Sequence, residues 1–247
     1  MERQARVASR NRKAFPNYRP VHEIYVEFCQ AKTRDGSLIL HLGAGRDSHE
    51  ICGRLGSRRL VSVDKDKLGI SLNQNPRRIV ADAGALPFHA EVFDMVMAEN
   101  VFEHLVAPSS MLLECHRLLH KGGRIVFMCP NRNSYIALLS RLTPYRLHIM
   151  VRRFCEGQTA DIDTFPTYYR LNTPRAIHRM ATAAGFVVEH LESFVGWAGL
   201  WEFSDLLHRF LTVIHQTLER YRILRPFHIT LFGVLRKSEV EVNQVDV

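Results

Sequence analysis

Leu38-Ile39-Leu40-His41-Leu42-Gly43-Ala44-Gly45-Arg46-Asp47-Ser48 is a short apolar run that passes into small residues and then into the start of a helix at about Ser48. Asp64 closes the next apolar run, Arg59 to Val63, 21 positions after Gly43. A strand, a glycine turn, a helix and a second strand ending in an acid form a nucleotide-binding arrangement. The glycines let a ligand approach the backbone, the helix start offers N–H groups to an anionic group, and the acid can accept from both hydroxyls of a ribose. The dinucleotide fingerprint wants a third glycine where Ser48 stands, and no Gly-Lys-Ser/Thr follows the turn, so NAD and a P-loop triphosphate are both disfavoured.

Outward from this stretch, short β-branched or leucine-rich runs alternate with amphipathic stretches, the pattern of a parallel sheet covered on both faces. The class is α/β. A helix over about Val21 to Lys32 precedes the first strand, and further strands are expected at Arg78 to Ala81, Val92 to Met97, Arg124 to Met128, Val187 to Phe194 and Ile229 to Leu235. A helix over about Ser110 to Leu119 is expected to end at Lys121-Gly122-Gly123, where glycine supplies the positive φ of a C-cap. Thr173-Pro174 reads as an N-cap with proline at the first helical position, leading a helix that Gly185 stops. Two stretches break the rhythm, about 130–172 and 195–228, and are read as insertions in a single domain over 21–247, after a basic arm at 1–20. The second insertion carries an apolar stripe at three- and four-residue steps from Leu200 to Tyr221, with Trp197 and Trp201 at its start. Ordinary packing, a subunit interface and a peripheral membrane contact all remain open for it.

The chain has 247 residues, 46% hydrophobic and 23% charged, which suits one packed, enzyme-sized domain and excludes a disordered or collagen-like chain. No apolar run approaches the roughly 18 residues of a membrane span, and the N-terminus lacks the apolar stretch of a secretory signal, so a cytoplasmic protein is expected. The net charge of +8 is spread along the chain. Its one concentration is the arm, where Arg3, Arg6, Arg10, Arg12, Lys13 and Arg19 face only Glu2, a solvated tail or a contact for phosphate or an anionic surface. The cysteines Cys29, Cys52, Cys115, Cys129 and Cys155 form no CxxC pair and read as reduced thiols.

The ordered series LHLGAGRDS, VSVDKD, ADAGALPF, FDMVMAENVFEHL and ECHRLLHKGGRIVFMCPN resembles the class I S-adenosylmethionine-dependent methyltransferases, particularly the group that includes the ubiquinone-biosynthesis methyltransferases. The likeness covers roughly Val21 to Gly185. It implies a Rossmann-like seven-stranded, mostly parallel sheet with helices on both faces and an antiparallel last strand. It also implies S-adenosylmethionine as cofactor, with Leu42, Gly43, Ala44 and Gly45 around its methionine end, Asp64 on the ribose and Lys65 beside the adenine. Asp82 with Ala83 would meet the adenine amino group, and Asn100 would border the site. For Asp82 a helix cap is the alternative. Two positions depart from the family: His41 stands where an acid is common, and Asp47 where a third glycine is. Glu103-His104 matches an element that some relatives use for a divalent metal, but their additional acid aligns with Asn100, so a metal-free site is expected.

Methyl transfer is an in-line displacement, and positioning the acceptor supplies most of its rate. A hydroxyl acceptor also needs a base; His104, just after strand four, is the first candidate, with a hydrogen-bonded structural histidine as the alternative. Tyr135, His148, Tyr168 and Tyr169 are the candidate acceptor contacts. Arg141, Arg146, Arg152 and Arg153 add charge nearby in the first insertion, either for an anionic acceptor or as a solvated face. The expected activity is methyl transfer to a small molecule, most readily at oxygen, of quinone, natural-product or glycan type, with no stable nucleic acid complex. The rivals are an RNA or protein methyltransferase, against which the Glu99-Asn100-Val101-Phe102 element lacks the Asn/Asp-Pro-Pro-aromatic signature, and a non-catalytic interaction protein on the same fold. The acceptor's identity and the oligomeric state are not legible in these residues.

Overall fold

The computed structural model describes residues 21–47, 51–56, 58–142, 165–195 and 205–238. Expectations resting on the basic arm, Ser48, Arg146, His148, Arg152, Arg153, Cys155, Trp197 or Trp201, and on the side chains of Cys52 and Arg141, lie outside the described residues.

Seven strands form one sheet: β1 (Leu38–Leu42), β2 (Arg59–Asp64), β3 (Arg78–Val80), β4 (Phe93–Glu99), β5 (Leu119–Pro130), β6 (Phe186–Phe194) and β7 (Thr230–Lys237). Their order is β3-β2-β1-β4-β5-β7-β6, parallel from β3 to β5 and antiparallel across β5-β7-β6. The helices are α1 (Val21–Ala31), α2 (Ile51–Arg54), α3 (Lys67–Ser71), α4 (Pro108–Leu118), α5 (Tyr135–Leu142), α6 (Pro174–Ala183) and α7 (Asp205–Arg220), with 3-10 turns at Phe102–His104 and Arg222–Phe227. This is the Rossmann-like sheet that the motif order implies.

The central strands are apolar on both sides because both faces are covered. Leu40, Leu42, Val96, Ala98, Ile125 and Phe127 share one core with Met111, Leu112 and Cys115 of α4 and Ile177 and Ala181 of α6. Ile39, Met95, Met97 and Val126 are buried at the alternate positions. There Tyr25 of α1 donates its hydroxyl to the Val126 carbonyl at 3.3 Å, and Phe28 meets Phe232 edge-on with centroids 5.2 Å apart. Cys29, Cys115 and Cys129 are buried free thiols, pushed up in pKa first by burial.

Helix α6 starts as its sequence dictates: the Thr173 side chain accepts from the Ala176 N–H at 3.2 Å and Pro174 takes the first helical position. The expected C-cap at Gly122 needs correcting. Gly122 does have a φ of +72°, but α4 has already ended at Leu118 and passes directly into β5. Leu119 pairs with Phe93 and Arg124 with Met95, so the intervening residues of β5 bulge out of register and the glycine serves that bulge.

The chain divides into two compact units. One comprises residues 25–130, 166–192 and 231–247 and contains most of the sheet; the other comprises residues 1–24, 131–165 and 193–230. Within the second, Asn131 Nδ2 donates to the carbonyls of Pro226 and His228 at 2.8 Å each, tying the start of one long segment to the end of the other.

Candidate active site

From β1 the chain steps outward to β2 and β3, then returns to place β4 on the other side of β1. In open α/β sheets the crevice beyond the carboxyl ends of the strands at such a reversal is where ligands bind. The turns bordering it are bent in ways few residues tolerate: Gly43 and Gly45 follow β1 with φ of +63° and +42°, and Asn100 follows β4 with φ of +53°. The two turns touch. A Cβ at Gly43 would lie 2.4 Å from Val101 Cγ2, so only glycine fits there.

Asp64, at the tip of β2, accepts the Gly45 N–H at 2.9 Å through one carboxylate oxygen and the Asp66 N–H at 2.8 Å through the other. The carboxylate is thus fixed over the glycine turn, while each oxygen keeps a lone pair for a further donor. Asp66 in turn caps α3, accepting from Leu68 and Gly69. Lys65 is exposed beside it. Asp82 is exposed after β3 and accepts the Gly84 N–H at 2.8 Å in a local turn, so it caps no helix. The intermediate exposure of Ala83 places it in the same turn.

The departures from the family's pattern now have local reasons. Asp47 adopts a φ of +55°, a conformation that aspartate tolerates better than most residues, and accepts the Ile51 N–H at 2.8 Å at the opening of α2. His41 is buried within the sheet, in register with Ser62 and Met97.

One support was not anticipated from sequence. Asn73, 1% exposed, donates to the carbonyls of Gly45 at 2.9 Å and Ala44 at 3.4 Å and accepts from the Asn75 N–H at 2.9 Å. Asn75 in turn donates to Leu60 O and to Ser62 Oγ. The signal was available in Asn73-Gln74-Asn75, a run of amides between α3 and the edge strand β3, of which Asn73 and Asn75 are buried. Asn73→Ala should cost about 1–3 kcal/mol of stability, since buried partners are left unsatisfied, and should weaken cofactor binding through the loosened turn. Thermal melts with and without cofactor check both effects; an unchanged melting temperature contradicts the support role.

Beyond β4, the Phe102–His104 turn is anchored by Phe102, stacked on Phe127 at 4.6 Å. The segment 166–172 lies against this turn. The Glu103 carbonyl accepts the Tyr168 N–H at 2.6 Å and the Tyr169 N–H at 3.3 Å, the Arg170 guanidinium donates to the Val106 carbonyl, and Asn172 Nδ2 donates to the Pro130 carbonyl at 2.9 Å. His104 Nδ1 lies 2.9 Å from the Pro166 carbonyl. A carbonyl only accepts, so Nδ1 carries the proton, and Nε2 faces the Glu103 carboxyl at 3.8 Å. Burial, then the charge of Lys65, lower the His104 pKa, against the Pro166 bond and Asp64, which raise it. His104 follows the carboxyl end of β4, the same end of the parallel strands at which Asp64 closes β2. Glu103 is buried, and burial above all pushes its carboxyl up to about 8.

Sequence-predicted acceptor contacts separate. Tyr168, exposed, and Tyr169, at φ +52°, stand beside the His104 turn. Tyr135 belongs to the other unit, where its hydroxyl lies 2.6 Å from His215 Nε2. Among the described residues, no group of three His, Cys, Asp or Glu side chains is arranged to hold a metal ion.

Residues 40–127 match a protein family described as a methyltransferase domain. Together with the fold, this match supports a class I S-adenosylmethionine-dependent methyltransferase domain over that stretch. It is 26% identical over 137 residues to a ubiquinone biosynthesis O-methyltransferase of Pseudomonas putida, covering 50% of this chain and 59% of that protein. A second match, 28% identical over 99 residues and covering 40% of this chain and 46% of its counterpart, is an uncharacterised protein of Methanocaldococcus jannaschii. The chain therefore spans about half the length of these curated relatives. In fold it is similar to a SAM-dependent methyltransferase from Archaeoglobus fulgidus, with a TM-score of 0.55 at 18% identity over 92% of this chain and 97% of that one. It is also similar to a Haemonchus contortus phosphoethanolamine N-methyltransferase solved with S-adenosyl-L-methionine, with a TM-score of 0.56 at 15% identity over 88% and 53%.

The residues of the methyltransferase domain fit this cofactor. The glycine turn leaves the backbone uncovered at Gly45, where an added Cβ would meet nothing nearer than Asp64 Oδ2 at 3.9 Å. The adjacent carboxylate presents acceptors, which suits a ribose whose free groups are donors as well as acceptors.

Proposed function

We propose that the protein transfers a methyl group from S-adenosylmethionine to a hydroxyl oxygen of a small-molecule acceptor in the cytoplasm. The observation that carries this reading is the fixed Asp64 carboxylate over the Gly43–Gly45 turn, with His104, held through Nδ1 at 2.9 Å from the Pro166 carbonyl, after the carboxyl end of β4. In this reading Leu42, Gly43, Ala44 and Gly45 line the methionine end, Asp64 holds the ribose, Lys65, Asp82 and Ala83 border the adenine, and Asn100 closes the turn after β4. We keep the division of residues 21–247 as one domain with two insertions as part of the same proposal.

Bound there, the cofactor supplies an electrophilic methyl group on a sulfonium sulfur. The chain's own task is to hold the acceptor oxygen about 3 Å from that carbon and in line with the bond that breaks. His104 Nε2 takes the hydroxyl proton as the oxygen–carbon bond forms, while Nδ1–H stays on the Pro166 carbonyl and keeps the ring in place. Tyr168 and Tyr169 offer aromatic surface and a hydroxyl to an acceptor beside this turn. A metal ion is not needed for any of these roles.

His104→Ala should lower kcat for a hydroxyl acceptor by about 10²-fold or more, with the cofactor's Kd unchanged. The wild-type rate should fall on the acid side of an apparent pKa below the usual histidine value of about 6.5, because the base is lost only when Nε2 gains a proton. Incubation with a panel of phenolic, catecholic and sugar acceptors, read by mass spectrometry for the gain of one methylene, tests the activity. Methylation confined to nitrogen or carbon acceptors, with H104A fully active, would contradict the oxygen assignment.

A further inference from the structure

We propose that the solvent face of α7 and the 3-10 turn that follows it dock on an anionic lipid surface. Helix α7 is sharply two-sided. Leu211, His215 and Leu218 are buried, while Arg209, Phe210, Val213, Gln216, Thr217 and Arg220 occupy the opposite, exposed arc. The chain then turns through Tyr221, Arg222, Ile223, Arg225 and Phe227 without burying any of them.

The apolar members stand far out of the surface: Phe210 and Val213 are each 61% exposed and Ile223 is 82% exposed. Arg209 precedes Phe210 and lies one helical turn before Val213, Arg222 precedes Ile223, and the Arg220 guanidinium lies over the Tyr221 ring, 5.8 Å from its centroid. Among the residues whose side chains are described, Arg209, Arg220, Arg222 and Arg225 of this face are set against Glu219 alone. Large apolar side chains interleaved with cations match an interface that offers acyl chains beneath negative headgroups. A second copy of this chain is disfavoured as the occupant, because a twofold contact through this face brings its arginines against their own copies. Nucleic acid phosphates would satisfy the arginines but leave Ile223, Phe210 and Val213 in water.

The test is co-sedimentation of the full chain with vesicles of phosphatidylcholine alone or of equal parts phosphatidylglycerol and phosphatidylcholine, repeated at rising salt. Binding is expected only with phosphatidylglycerol and should weaken as salt rises. Because residues 1–20 are also basic, variants of the patch decide the assignment. Arg222→Gln and Arg225→Gln should each weaken partitioning about fivefold. Ile223→Ser should weaken it about tenfold. These side chains are exposed, and circular dichroism and melting temperature should match the wild type. Equal binding to both vesicles, no binding to either, or binding that all three variants leave intact overturns the proposal. So does a dimer, seen by light scattering without lipid, that Ile223→Ser dissociates.

Discussion

Asp64→Ala should lower the affinity for S-adenosylmethionine at least 100-fold. In the proposed site the side chain offers a charged acceptor to two ribose hydroxyls, and hydrogen bonds to charged groups contribute about 1.5–3 kcal/mol each, so losing both removes about 3 kcal/mol or more. A second loss acts on the free protein. The same oxygens hold the Gly45 and Asp66 N–H groups, and without them the glycine turn and the start of α3 lose their common tie. Asp64→Asn keeps one acceptor oxygen and should fall between the two in affinity and in stability. Calorimetric titration measures the first effect and thermal unfolding of the free protein the second. An Asp64→Ala protein that binds the cofactor as the wild type does would remove the carboxylate from the site.

The second large effect is a pH dependence of stability set by Glu103. Burial raises its carboxyl to about 8 from an ordinary 4.5, helped by Glu99 and opposed by hydrogen bonding from its own backbone and Asn172. Glu103 Oε2 and Asn172 Oδ1 are both buried without a hydrogen-bond donor among the described residues, and a proton on the carboxyl turns one of two acceptors into a donor. The carboxyl is therefore protonated in the fold near neutrality and ionised in the unfolded chain. Stability present below about 4.5 is lost as pH rises, and the loss is complete above about 8, up to roughly 5 kcal/mol over the window. Glu103→Gln keeps the shape and an N–H donor but cannot ionise, so this slope should vanish. His104, whose lowered pKa adds an opposite slope at the acid end, lies 3.8 Å from the Glu103 carboxyl, so the comparison is read above its ordinary pKa of 6.5, where the imidazole is neutral in both states. Urea unfolding between pH 6.5 and 9 compares them; parallel stability curves would contradict a protonated Glu103. The carbonyl of the same residue holds Tyr168 and Tyr169, so the turn bearing His104 should loosen with it.

What was legible in the sequence is what has a short-range or periodic cause. The apolar runs gave the strands, Thr173-Pro174 gave the start of α6, and the Gly43-Ala44-Gly45 bend with Asp64 beyond it gave the crevice. The positions proposed for the cofactor lie next to strand ends, and strand ends can be read from composition. The misreading at Gly122 has the same origin: a positive φ is predictable from glycine, but whether it ends a helix or bulges a strand depends on pairing with β4, which is not local. Asn73 and Asn172 were missed because each works through main-chain carbonyls distant in sequence, 28 positions away at Gly45 and 42 at Pro130. The acceptor side remains a proposal for the same reason, since Tyr168 reaches His104's turn only through tertiary hydrogen bonds.

The central claim is that the turn after β1 and the carboxylate at the tip of β2 grip one nucleoside sulfonium. A crystal structure of the full chain with S-adenosylhomocysteine examines this directly. Both ribose hydroxyls should lie within hydrogen-bond distance of the Asp64 oxygens, with the amino acid end across Gly43 and Gly45. A nucleoside bound elsewhere, or a ribose that leaves Asp64 untouched, would contradict it.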